Sequence, residues 1–198
     1  LVAASLVKLY IMLAVFDGIE HDTITDDANV DALLKQMITV SSNEAANGLL
    51  SRIGNGDGKA AIATVTATAQ RYGFTSSEEL RTLTGMASGN AVENWTSTRD
   101  CGSFLSQVYA GTLVSKNASE RMMQLLLGQT RRTKIPAGVP SGVKVANKTG
   151  ELAAVQNDVA IVFGTHPYVL AVMSSDISSA VAPSQITELS RAVWDAAQ

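Results

Sequence analysis

The sequence predicts an α+β fold in which a helical lobe is set against an antiparallel sheet. Three observations carry this expectation. Apolar residues recur with helical spacing from the start of the chain to about Leu127. The period changes at Val143, and three β-rich runs then follow one another. A last amphipathic segment returns to the helical period. Helices, then strands, then a helix is the pattern of segregated layers. With no internal repeat and no low-complexity linker, the 198 residues read as one domain, with a helical lobe over about 18–127 and a sheet lobe over about 128–198.

The first helix runs from Leu6 to about Asp17 and is apolar nearly all round, which marks a central buried helix. It is too short to span a bilayer and carries Lys8 within it. Polar residues from Asp17 to Asn29 form a loop. A second helix, Val30 to Ile38, places Val30, Leu33, Leu34, Met37 and Ile38 on one stripe. The next helix follows Ser41-Ser42-Asn43, buries Ala46, Leu49, Leu50 and Ile53, and stops at the glycine-rich run Gly54 to Gly58. Another extends from Lys59 to Tyr72 and ends at Gly73. Thr75 to Trp95 is the least periodic stretch, suited to wrapping a site, with a helical turn expected over Ser77 to Leu83. Thr98 opens a helix to about Tyr109, and Asn117 or Ser119 opens one to Leu127. Arg131 to Ser141 is a connection punctuated by Pro and Gly. Val143 to Thr149, Ala154 to Phe163 and Tyr168 to Ser174 are strands, the last two joined by the turn Gly164-Thr165-His166-Pro167. A helix over Pro183 to Ala197 closes the chain. The first helix would lie at the seam between the lobes.

Composition narrows the function classes. Hydrophobic residues make up 46% of the chain and charged ones 17%, so a core can be buried. The net charge of −3, without a basic block, argues against nucleic acid and anionic membrane as partners. Cys101 is the single cysteine, so no internal disulfide forms, and His21 and His166 are isolated, leaving no ligand set for a metal and no cofactor to expect. His21, in Glu20-His21-Asp22, reads as a surface residue. The chain opens on Leu1 rather than Met, as a fragment or processed product would.

Three short motifs carry chemistry. Ser5 and Lys8, three apart at a helix start, share a helix face. A serine hydroxyl needs a neighbouring base to become a nucleophile, and a lysine neutralised by burial and nearby cations can be that base. The helix N-terminus offers N–H groups and positive potential to a developing oxyanion. Alone, Ser-x-x-Lys recurs by chance, with the serine as a cap and the lysine solvated. Ser41 and Asn43 would send a hydroxyl and an amide into one cleft; read structurally, Ser41-x-x-Glu44 is a capping box. Lys148-Thr149-Gly150, at a strand end, offers an ammonium and a hydroxyl to a substrate carboxylate, and Gly150 admits close backbone approach. Read structurally, it is an edge-strand lysine before a turn.

In this order the three motifs resemble those of the class A serine β-lactamases and penicillin-binding D,D-peptidases. Leu49-Leu50, Thr98-Arg99-Asp100, Ile135 to Pro140 and Asn147 to Gly150 extend the resemblance over nearly the whole chain. It implies an α/β sandwich of the β-lactamase/transpeptidase type. It implies Ser5 as the acylated nucleophile and Lys8 as its base. Ser41 would pass the proton to the leaving nitrogen, and Asn43 would bind the substrate amide. Lys148 and Thr149 would engage the substrate carboxylate, and the backbone N–H groups of Ser5 and Glu151 would form the oxyanion hole. The substrate class it implies is β-lactams or acyl-D-Ala-D-Ala stem peptides of peptidoglycan, handled outside the cytoplasm.

The sequence departs from that family in four respects. The helix and two strands that usually precede the active serine are absent, so an upstream segment or partner chain is expected to complete the sheet. Ser42 stands in the middle of the Ser-x-Asn motif, where class A enzymes usually have aspartate. The Glu-x-x-x-Asn pair that activates the deacylating water is missing, with Glu93 the nearby candidate, and slow deacylation follows as an expectation. No arginine lies on Tyr168 to Ser174; Lys134 is the candidate substitute, although a lysine in such a loop is ordinarily solvated. The alternative to a turning-over acyl hydrolase is a penicillin-recognising sensor or pseudo-enzyme, separated from it by the lifetime of the acyl-enzyme.

Overall fold

A computed structural model describes residues 1–83 and 92–198. The chain is α+β, with a three-stranded antiparallel sheet in the order β1-β2-β3. The helices are α1 (Lys8–Glu20), α2 (Ala28–Thr39), α3 (Asn43–Ile53), α4 (Gly58–Arg71), α5 (Thr98–Ala110), α6 (Lys116–Leu127) and α7 (Ala182–Ala197). The strands are β1 (Lys144–Leu152), β2 (Val155–Phe163) and β3 (Tyr168–Val172).

Helix α1 is the hub because its sequence leaves it no polar face. Every residue from Lys8 to Gly18 is buried, and each large apolar side chain so buried contributes about 1.5–3 kcal/mol. It packs on α2, α3 and α4. Its Tyr10 ring meets Phe74 and Phe104 at centroid distances of 5.7 and 5.9 Å, a spacing that suits tilted and edge-on ring pairs.

The sheet buries both faces, and the period of two sorts its residues. Ala146, Val159 and Ile161 join the large core around α1. Val145, Ala160 and Val162 face a smaller core with Ile135 and Ile186. Helices α5 and α6 thus lie on one side of the sheet and α7 on the other. Strand β1 runs further than its alternation predicts and includes Glu151. The hairpin turn between β2 and β3 falls at 164–167 as expected.

Side-chain caps set most helix starts. Asp27, Asp57, Ser97 and Ser115 accept hydrogen bonds from the first-turn N–H groups of α2, α4, α5 and α6. Ser115 therefore opens α6, not Asn117 or Ser119. Ser119 is fully buried instead, its hydroxyl bonded to both the N–H and the C=O of Leu113.

The helical turn expected over Ser77 to Leu83 does not form. Glu78 makes an antiparallel bridge with Trp95, which also bridges Val2. The Asn94 side chain accepts from the N–H groups of Leu80 and Arg81 at 2.8 and 3.0 Å. Partners distant in sequence have overridden local propensity. Of the expected wrap over Thr75 to Trp95, 84–91 lie outside the described residues.

Candidate active site

Ser5 sits in a 3₁₀ turn, Ala4–Val7, immediately before α1. The preceding Ala4 has φ 48°, a left-handed conformation costly for a residue with a Cβ. Hydrogen bonds hold it: the Ala3 N–H donates to Asn94 O at 2.8 Å, and the Asn157 amide donates to Val2 O and Ala3 O. Gly150 lies against the same turn. A Cβ there would come within 2.8 Å of Ala3 O and 3.2 Å of Leu6 N. Only glycine lets strand β1 and the serine turn touch along their backbones.

Lys8, on the first turn of α1, is fully buried. Its Nζ donates to Asn43 Oδ1 at 2.8 Å and Ser41 O at 2.6 Å, and reaches Ser5 Oγ and Ser41 Oγ at 3.2 Å each. Burial, and then the charge of Arg131, lower its pKa to about 8. A useful fraction of Lys8 is therefore neutral near neutral pH.

Ser41 has φ 63°, turning its hydroxyl into the cleft. The capping box expected from Ser41 and Glu44 is shifted by one residue. Ser42 is the cap of α3, accepting from the Ala45 N–H at 3.0 Å and donating to Glu44 at 2.9 Å. That shift leaves Ser41 Oγ between two lysines, because Lys148 Nζ donates to it at 2.9 Å. Lys148 is fully buried and bonds Thr149 O as well. Burial, then the charges of Lys8 and Arg131, hold its pKa well below the usual lysine value. Beneath it, buried Asp158 accepts from Asn147 and from the Ile135 N–H, and burial lifts its carboxyl to about 7.

Two cavities meet at Ser5. One of about 170 Å³ is lined by Ser5, Ser41, Asn43, Arg131, Thr149 and Glu151. The other, about 100 Å³, adds Arg81, Leu83, Glu93 and Asn94. A serine hydroxyl, a lysine of lowered pKa, a second hydroxyl and an amide thus converge on one cleft, an arrangement able to support acyl transfer.

The sequence profile of the β-lactamase enzyme family matches residues 24–197. The chain belongs to that family. It is a serine hydrolase on that ground, and the match takes in Ser41, Asn43 and Lys148 to Gly150. No curated protein matches it in sequence.

Solved structures agree on the β-lactamase fold. A β-lactamase from Sphaerobacter thermophilus has a TM-score of 0.87 at 22% identity, over 100% of this chain and 83% of that one. A PBP-A mutant, solved as an acyl-enzyme complex with penicillin G, has 0.83 at 23%, over 98% and 80%. The TLA-3 extended-spectrum β-lactamase has 0.86 at 21%, over 98% and 83%.

Within this β-lactamase-family site, Lys134 is not the solvated loop lysine expected. It is 1% exposed, donating to Glu151 Oε1 at 2.9 Å and Asn157 O at 3.1 Å. Glu93 lines the smaller cavity but is paired with Arg81 at 2.9 Å.

Sequence reasoning missed Arg131, which lines the larger cavity and pairs with Glu151. Gln129 could have signalled it only in hindsight of the fold: its side chain bonds Ile38 O and the Arg131 N–H, pinning the loop beside Ser41. Glu79 was missed too. Its carboxyl is sealed from solvent with neither oxygen hydrogen-bonded among the described residues, and burial raises it to about 8.

Proposed function

We propose that the chain is an active-site-serine acyl hydrolase, acylated at Ser5 by β-lactams or acyl-D-Ala-D-Ala peptides. The observation that carries the reading is the position of Lys8 Nζ, 3.2 Å from both Ser5 Oγ and Ser41 Oγ. Neutral Lys8 takes the Ser5 proton as Oγ bonds to the carbonyl carbon. The C–N bond then breaks, Ser41 delivers its proton to the leaving nitrogen, and Lys8 returns one to Ser41. The products are an acyl-serine ester and an amine. The Ser5 and Glu151 N–H groups stabilise the oxyanion, Asn43 holds the donor amide, and Thr149 meets its carboxylate above the charge of Lys148. The PBP-A mutant complex, a penicillin G acyl-enzyme on this fold, supports the substrate class.

Water then cleaves the ester, restoring Ser5, and this step is the slow one. Both carboxylates lining the cleft, Glu93 and Glu151, are held by arginines, and a missing general base costs a step about 10²–10⁴-fold. The same pairing favours, as second reading, a penicillin-recognising sensor that is acylated once. The site works outside the cytoplasm. The edge of β3 left unpaired among the described residues, half-buried throughout, pairs with a strand supplied from outside this sequence.

Incubation with a fluorescent penicillin, followed by intact mass over time, tests the reading. One adduct of the full drug mass, mapped to Ser5, absent in Ser5→Ala and persisting long after excess drug is removed, is the expected result. An adduct on Ser41, or rapid burst-free turnover, contradicts it.

A further inference from the structure

The charges that line the cleft are already spoken for. Among the described residues, Arg131 is the single cation lining the 170 Å³ cavity, and Glu151 the single anion. Their side chains are ion-paired. The other Glu151 oxygen accepts from Lys134 at 2.9 Å. Lys134 does not line the cavity, and its Nζ is fixed by Asn157 O as well. Lys148 is buried beneath Ser41 and Thr149. A donor carboxylate entering the cavity therefore meets the Thr149 hydroxyl and an arginine already paired with another carboxylate.

We infer that Glu151 is an internal competitor for the donor's carboxylate, so that its side chain sets this chain's preference between donors with a free carboxylate and donors whose carboxylate is masked as an ester or amide. The inference rests on the acyl-hydrolase reading above and adds a specificity determinant to it. Strand register places the residue for this task. Glu151 follows Thr149 by two on β1, so both side chains project from the same strand face into the cavity. Glu151 is charged in this setting: burial raises its pKa, but the hydrogen bond and charge of Lys134 and the charge of Arg131 outweigh that and leave it below the usual value.

The competition is a bias and not a block. Arg131 and Glu151 side chains are 47% and 30% exposed, and solvent screens a pair so placed, leaving it weak. Arg131, Lys134 and Glu151 together keep one net positive charge, enough to admit a carboxylate that swings Glu151 wholly onto Lys134. Removing the Glu151 charge doubles that surplus.

The test compares acylation rate constants for benzylpenicillin and its methyl ester. In Glu151→Gln the acid-to-ester ratio rises up to about fivefold, because any change at the oxyanion hole acts on acid and ester alike and cancels in the ratio, while only the acid gains a freed arginine. Arg131→Gln keeps Glu151 and removes the exposed cation, so the ratio falls below that of the parent. The same ratio is also read as dissociation constants in the Ser5→Ala background, which needs no acylation and separates failure of this inference from failure of the acyl-hydrolase reading. A ratio that is unmoved in Glu151→Gln, or acid and ester rates that change together, overturns the competitor role. Circular dichroism of each variant accompanies the rates, and Glu151→Asp, which keeps the charge on a shorter arm, is expected to lie between parent and Glu151→Gln.

Discussion

Lys148 Nζ stands 2.9 Å from Ser41 Oγ across 107 residues of chain, and both groups have Lys8 as a common neighbour. If Lys148 acts through that hydroxyl, its loss and the loss of the hydroxyl are one loss. Lys148→Ala and Ser41→Ala should each slow acylation roughly 100-fold, as loss of a positioned proton-transfer group does. The double variant should be no slower than the worse single one. Multiplying effects, measured by stopped-flow acylation, would show that the two act independently.

Acylation should rise with pH and level off. Lys8 is a base only when neutral, and its pKa is lowered to about 8, by burial first and by Arg131 second. The rate constant should increase about tenfold per pH unit below that value and flatten above it. The rising limb should vanish in Lys8→Ala. A limb that survives there belongs to another group.

Adjacent serines should separate stability from chemistry. Ser42 caps α3 through the Ala45 N–H, so Ser42→Ala should cost about 1 kcal/mol in denaturant unfolding and leave acylation nearly intact. Ser41→Ala should do the reverse. Equal loss of stability in both would place the cap at Ser41 after all.

Glu79 makes stability fall as pH rises. Its ordinary value of 4.5 applies to the unfolded chain, while burial raises the folded value to about 8. Between those values the folded state binds the extra proton, so unfolding is favoured as pH climbs, and the penalty is complete above about 8. At about 1.4 kcal/mol per pH unit it reaches at most about 5 kcal/mol. Glu79→Gln should therefore raise the melting temperature at pH 9 and lose that advantage near pH 5. An advantage independent of pH would mean the carboxyl is charged throughout or already neutral.

The parts of the site legible in the sequence are those that regular elements aim. Ser5 and Lys8 are spaced by a helical turn, and Lys148, Thr149 and Gly150 lie on a strand that the change of period marks out. Irregular backbone hid the rest. Nothing local places Arg131 in the cleft, since Gln129 reaches α2 to hold it there. Lys134 is buried because Glu151 and Asn157 O receive its ammonium, partners that a loop sequence does not announce. Glu44 can serve a cap at either Ser41 or Ser42, and the backbone settled it by turning Ser41 to positive φ. The fold was legible for a simpler reason: a helix apolar all round has to be central, and a switch of period marks where the sheet begins.

The stitching of the Ser5 turn to Asn94, Asn157 and Gly150 gives the nucleophile a place in the order of folding. The Asn157 amide that bonds Val2 O and Ala3 O is separated from them by 155 and 154 residues. Contacts of such sequence separation form late, because the long loops they close cost entropy before any contact rewards them. A nascent or partly folded chain thus displays the serine without Lys148, its relay or its strand. Reactivity toward an acyl donor becomes a report on completed folding, and the rate at which competence for acylation appears during refolding should match the rate at which the β1–β2 hairpin docks on the Ser5 turn.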